Sequence, residues 1–160
     1  MKTLVTLMIL VGAGLGTFVP EAAADLRDDR PNLVGGEILG RGLFLTFNYE
    51  RFFTSHLGAG AGLMAIGTDD GNVSVVPVYV QFLSGDRHNL YLGAGLTVFS
   101  GGESINDYES ETATTLSFGY HFQADSGFYV RPIFTFLNLT DVDSGDSGLL
   151  WPGISLGGSF

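Results

Sequence analysis

Apolar and polar residues alternate one by one along most of this chain. Leu43-Phe44-Leu45-Thr46-Phe47-Asn48-Tyr49-Glu50 sets Leu43, Leu45, Phe47 and Tyr49 on one side and Thr46, Asn48 and Glu50 on the other. A side-chain period of two belongs to an extended strand and rules out a helix over the same residues. The alternation recurs over residues 57–66, 73–83, 90–99, 112–123, 128–138 and 149–160. Segments of this length match a tilted strand that crosses a bilayer, about 9–11 residues.

The composition of the two faces matters as much as their period. Leu90, Leu92, Ala94, Leu96 and Val98 form one wholly apolar face, and Tyr91, Gly93, Gly95 and Thr97 form the other. A strand with one face in water usually carries Lys or Glu there. Here the charges gather in the connections instead. The chain holds 24 glycines yet is hydrophobic overall, which fits close-packed strands and not a flexible linker. Gly58, Gly60 and Gly62 fall on the inward face and make room for bulkier neighbours such as Tyr79 and Tyr91.

The N-terminus reads as an export signal. Lys2 supplies the positive charge, residues 4–18 the apolar stretch, and Pro20 a break before Ala22-Ala23-Ala24. This is the pattern of a cleaved signal peptide over residues 1–24, with Asp25 the first residue of a single domain over 25–160. The formal net charge is -10, which disfavours nucleic acid, because phosphate binding needs clustered Lys and Arg. The chain has no Cys, which removes disulfides, thiol catalysis and Cys-based zinc sites.

Connection lengths predict the topology. The links at 54–55, 84–89 and 124–126 are short, whereas 68–72, 100–110 and 140–147 are longer or more polar. In bacterial barrels the short turns are periplasmic and the long loops extracellular. A periplasmic N-terminus then requires an ascending strand over 32–40, with Gly40-Arg41-Gly42 as the turn. That gives an all-β, eight-stranded antiparallel transmembrane barrel. One long Gly-kinked strand from 32 to 53 is the alternative and leaves seven. Closure is required because hydrocarbon leaves an open sheet edge unpaired, at several kcal/mol per group. With eight strands the interior is only wide enough for side chains. Phe53, Phe82, Phe122, Phe128 and Phe160 gather at the inferred periplasmic ends like an interfacial girdle.

The terminal stretch from Leu150 through Trp151-Pro152-Gly153-Ile154-Ser155-Leu156-Gly157-Gly158-Ser159-Phe160 resembles the last strand of Gram-negative outer-membrane proteins. Asn48-Tyr49-Glu50-Arg51-Phe52 and the hairpin through 88–95 are similar to small barrel-domain proteins of the OmpA/OmpX-like type. The resemblance implies an outer-membrane location and no catalytic residue. It also implies that Ile154, Leu156 and Phe160 are read by the barrel assembly machinery, although Gly158 stands where a bulky residue is common.

The inward face carries the candidate site. Glu50 lies three residues above Phe53 on a descending strand, and Arg131 three above Phe128 on an ascending one. Both therefore sit at similar depth, and a confined charge needs a partner. The expectation is a lumen ion pair of Glu50 and Arg131, with Glu37, Asn48, Gln81 and His121 as further lumen polar residues. Ser117 and His121 are four apart on one strand, roughly 13 Å at 3.3 Å per residue, too far for a nucleophile–base bond. No phosphate loop is expected at Gly93-x-Gly95, which follows no basic residue and opens no helix. Asp141-Val142-Asp143-Ser144-Gly145-Asp146 lacks the Gly placement and distal Glu of a calcium loop and reads as a solvated acidic loop, as do Glu103, Asp107, Glu109 and Glu111. Neither catalytic residues, cofactors nor metals are expected. The expected partners are outer-membrane lipid and lipopolysaccharide, for a monomeric chain with a plugged lumen and a structural or surface-interaction role. A narrow channel, a lipid-modifying enzyme and a soluble lipocalin-like barrel are the competing readings.

Overall fold

Each alternating segment forms a strand in the computed structural model of the chain, which describes residues 25–68, 71–102, 109–139 and 148–160. A short helix α1 (Asp25–Asp29) leads into β1 (Asn32–Leu39) and a 3-10 turn (Gly40–Gly42). Then come β2 (Leu45–Phe52), β3 (Leu57–Thr68), β4 (Gly71–Leu83) and β5 (His88–Gly102). The chain ends with β6 (Glu109–Gln123), β7 (Phe128–Leu139) and β8 (Gly148–Ser159). All neighbours pair antiparallel, and β8 returns to β1, which closes an eight-stranded barrel. The signal-peptide assignment and the acidic segment 141–146 lie outside the described residues, as do Glu103 and Asp107. Among the described residues no helix is long and apolar enough to cross a membrane, which says nothing about strands.

The first strand is separate from the second. Asn32 pairs with Arg51 and Ile38 with Leu45, so the seven-strand alternative does not hold. The reversal is tight because Leu39 (φ 61°) and Leu43 (φ 66°) both adopt left-handed backbone. That conformation strains non-glycine residues. It also delays β2 until Leu45, two residues after the alternation begins. The β3–β4 ladder runs into the expected loop at 68–72, with Gly67 opposite Asn72 and Thr68 opposite Gly71.

Two prolines interrupt the ladders. Between β3 and β4, pairing stops at Ala61↔Val78 and resumes at Met64↔Val75, which brackets Pro77. Between β6 and β7 it stops at Gly119↔Ile133 and resumes at Phe122↔Val130, which brackets Pro132. Proline has no N–H to donate, so a ladder fails on one of its sides.

The faces sort as the alternation requires. Phe47, Val80, Leu96, Phe118 and Phe134 point outward and are exposed, whereas Thr46, Asn48, Glu50, Gln81 and Thr97 point inward and are buried. Bulky inward rings lie against glycines. A methyl on Gly60 would stand 2.7 Å from the Tyr79 ring, and one on Gly93 would stand 2.5 Å from the Tyr91 hydroxyl. The space for Tyr91 thus comes from Gly93 on its own strand rather than from β3.

The helix α1, Phe160 and the three turns after β2, β4 and β6 share one end of the barrel, here the terminal end. Asn32 and Phe160 exchange backbone hydrogen bonds there, at 3.1 and 2.9 Å. The opposite end is the far end.

Candidate functional site

The site is the lumen, and eight strands turn its residues inward. Glu50 on β2 and Arg131 on β7 face each other across it. Arg131 Nη1 donates to Glu50 Oε1 and Nη2 to Oε2, each at 2.8 Å. The Tyr79 hydroxyl donates to Glu50 Oε1 at 2.8 Å, and Gln81 Nε2 donates to Oε2 at 2.7 Å. Gln81 Oε1 in turn accepts from Arg131 Nη1 at 3.2 Å. Arg131 Nε donates to His121 Nδ1 at 3.0 Å. That bond requires a bare Nδ1, so the ring is neutral with its proton on Nε2, facing Gln123 Oε1 at 3.4 Å. The guanidinium of Arg131 also lies 4.6 Å from the Tyr91 ring centre and 5.2 Å from that of Tyr129.

A second pair stands toward the far end. The 3-10 turn folds into the lumen and carries Arg41 with it. The Arg41 backbone N–H donates to Glu37 Oε1 at 2.7 Å, and its side chain forms an ion pair with the same carboxylate. Its guanidinium lies 3.5 Å above the Tyr79 ring, and Nη1 donates to the Tyr91 hydroxyl at 3.1 Å. The Ser155 hydroxyl donates to Glu37 Oε2 at 2.9 Å, and that of Thr97 donates to the Arg41 carbonyl at 3.1 Å. Arg41 Nη2 stands 4.0 Å from Glu50 Oε1, so the two pairs form one network. All four charged groups are buried, and their charges cancel. Burying charge costs several kcal/mol per ion unless hydrogen bonds and an opposite charge offset it. Here both acids and both bases have them.

The terminal end has its own closure. Arg27 of α1 donates to the Ser55 and Gly85 carbonyls, to the Asp86 carbonyl at 3.2 Å and to Asn89 Oδ1 at 3.2 Å. One buried guanidinium thereby ties two turns together, with the Phe52 ring 5.5 Å beneath it. Burial pushes Arg27 down to about 10 while Asp86 and Asp28 pull it upward, so it stays charged at neutral pH. Arg30 reaches the third turn by donating to the Asp125 carbonyl at 2.7 Å.

The structure thus brings Glu50, Arg131, Gln81 and His121 into one cluster and places Glu37 in the adjoining one. Asn48 is buried near them, with Oδ1 unpartnered. Ser117 bonds to Thr135 at 2.9 Å and makes no bond to His121, in keeping with their spacing. Ile154, Leu156 and Phe160 point outward and are exposed. Among the described residues no group of His, Cys, Asp and Glu is placed to hold a metal.

Sequence reasoning missed Arg41 and Arg27. The signal for Arg41 is its spacing of four from Glu37 and its flanking glycines, which free the turn to fold inward. Arg27 sits in Asp25-Leu26-Arg27-Asp28-Asp29-Arg30, where composition suggests only a solvated run.

No family model matches the chain, and neither does any curated protein. Among solved structures it is similar to Ail, the attachment invasion locus protein of Yersinia pestis. That likeness has 18% sequence identity and a TM-score of 0.41, and covers 81% of this chain and 94% of Ail. The architecture is a small, closed, eight-stranded antiparallel barrel.

Proposed function

We propose that this chain is an outer-membrane β-barrel whose plugged lumen suits it to a structural or surface-interaction role. One observation carries the reading: the charges across the middle of the lumen are spent on one another. Glu50 is held by Arg131 and Glu37 by Arg41, so these four groups plug the mid-barrel lumen with no net charge. The outward belt of Phe47, Val80, Leu96, Phe118 and Phe134 supports a lipid environment, since water would expose it at a cost of about 25 cal/mol per Å². The export signal in residues 1–24 fits that location. In this reading the terminal end faces the periplasm and the far end the cell surface. Ile154, Leu156 and Phe160 then serve the assembly machinery, and lipid and lipopolysaccharide surround a monomer.

Two measurements test the reading. Folded protein in detergent should migrate differently on a denaturing gel before and after boiling. Refolded protein in a planar bilayer should give no steady conductance. Migration unaffected by boiling, with solubility in plain buffer, would favour the lipocalin-like barrel. Steady wild-type conductance would favour the channel.

A further inference from the structure

The outer face is not uniformly apolar. Arg51 on β2 lies on it, by the alternation that also turns Phe47 and Tyr49 outward, and is exposed. It stands toward the terminal end, opposite Asn32 on one side and Ala59 on the other. Among the described residues its guanidinium has no hydrogen-bond, ion-pair or ring partner. The other arginines at this end are engaged, Arg27 with the turns, Arg30 with the Asp125 carbonyl and Arg87 with the Asp125 carboxylate. A cation on a barrel's outer face is tolerated at the membrane interface and costly at mid-membrane. Polar groups flank Arg51. The Tyr49 hydroxyl donates to Asn32 Oδ1 at 2.8 Å, and Asn32 Nδ2 donates to the Phe160 carbonyl at 3.3 Å. The second amide hydrogen of Asn32 is left over beside Arg51.

Above Arg51, toward the far end, the outer face is hollowed. A depression of about 650 Å³ is lined by Val34, Gly36, Phe47, Tyr49, Ala61 and Leu63. Its edge at Tyr49 is two residues from Arg51, roughly 7 Å along the strand. Small residues make the hollow. Gly36 lies opposite Phe47 and Ala61 opposite Tyr49, so each ring stands beside a position without bulk. A methyl on Gly36 would meet nothing closer than 3.7 Å.

In the membrane reading this face meets lipid, with Arg51 at headgroup level and the trough at chain level. A free cation at one end of an apolar trough matches an anionic head joined to a hydrocarbon tail. The guanidinium's donors suit phosphate oxygens, and a chain in the trough gains contacts that a void lacks. We propose that the outer face of β1–β3 is a binding site for an anionic phospholipid, its phosphate on Arg51 and one acyl chain in the trough toward Gly36 and Leu63. The proposal rests on the membrane reading and deepens it, since it picks out one lipid held in place among those that surround the barrel.

Folded, delipidated protein in a non-ionic detergent is titrated with dioleoylphosphatidylglycerol, and bound lipid is counted by native mass spectrometry. Heat-modifiable migration checks the fold of each variant. One saturable phosphatidylglycerol per barrel is expected. Arg51→Ala should weaken it about tenfold, the loss for hydrogen bonds to a charged group. Gly36→Leu and Ala61→Phe fill the trough from the outer face, and should weaken binding by a similar factor with the cation in place. Ala94→Phe, on the outer face of β5, should change nothing. Excess sn-glycerol 3-phosphate should not compete; competition would make this a headgroup pocket with no place for a chain, against the proposal. Equal binding of dioleoylglycerol, which has no phosphate, would leave Arg51 without a role and overturn it too. A heat-modifiable barrel that holds no lipid, or binds as well after Arg51→Ala and Gly36→Leu, overturns the proposal and spares the membrane reading. A protein that folds in plain buffer, with migration unaffected by boiling, overturns the membrane reading itself.

Discussion

Arg131 and Glu50 meet in a two-pronged ion pair across the barrel, Nη1 to Oε1 and Nη2 to Oε2, both at 2.8 Å. Glu50→Gln and Arg131→Met should each lower the unfolding midpoint in detergent. Breaking a buried pair costs about 3–5 kcal/mol, because the remaining charge is orphaned. The double variant should lose less than the sum of the two, since it strands no charge. Urea titrations of all four proteins give the coupling. Strictly additive losses would mean that Tyr79, Gln81 and His121, and not the pair, hold each group in place.

Arg27 clamps two turns through the carbonyl oxygens of Ser55, Gly85 and Asp86. Arg27→Ala should cost about 1–3 kcal/mol, the range for a buried polar group left unsatisfied. Arg27→Lys keeps the charge but not the planar fork, and should recover only part of the loss. Amide hydrogen exchange localises the effect. Residues 54–56 and 84–89 should lose protection while mid-strand amides of β4 and β5 keep it. Unchanged protection at those turns would leave Arg27 with no clamping role.

Leu96 faces outward and is exposed, whereas Gly60 faces inward against Tyr79. Leu96→Arg should hinder insertion into vesicles, since a cation on the lipid face near mid-membrane costs about 2–4 kcal/mol. Leu96→Phe should insert normally. Gly60→Ala should destabilise by about 1–3 kcal/mol through overpacking against the ring. Folding yield by gel migration separates the two effects. Tolerance of Leu96→Arg would contradict the assignment of outer and inner faces.

Much of this architecture is legible in the alternation because a strand's side chains have a fixed period, and one face must meet one environment. Parity puts Glu50, Arg131, Gln81 and His121 on one inner wall, and counting from Phe53 and Phe128 gives two of them the same depth. Parity says nothing about a segment that leaves the sheet. Arg41 is such a case, since the 3-10 turn carries it inward with no period to reveal it. Parity is equally silent on volume. Gly93 looks like an inward position where a methyl would be harmless, yet the Tyr91 hydroxyl already fills that space. The buried apolar residues beside the charged network also hide in the sequence, because Met64, Val75 and Leu137 read as ordinary strand residues until their level in the barrel is known.

Arg41 provides a second closure in series with the first. Its guanidinium lies on the Tyr79 ring and bonds to Tyr91, so it occupies the lumen above the Glu50–Arg131 layer. Arg41→Met leaves Glu37 buried without its counter-charge, with the backbone N–H of residue 41 and the Ser155 hydroxyl as its remaining donors, and should cost about 3–5 kcal/mol. Adding Glu37→Gln to Arg41→Met should restore much of that loss, because it removes the stranded charge. Arg41→Lys should fall between, since a lysine cannot match the guanidinium's planar stacking on Tyr79. Conductance then separates one seal from two. Arg41→Ala alone should stay silent, because Arg131 still spans to Glu50. Glu50→Ala with Arg131→Ala should also stay silent, because the Arg41 turn still fills the lumen above. Only the combination of all three should pass ions. Steady current from Arg41→Ala alone would assign the whole seal to the inward turn and demote the deeper pair to a stabilising role.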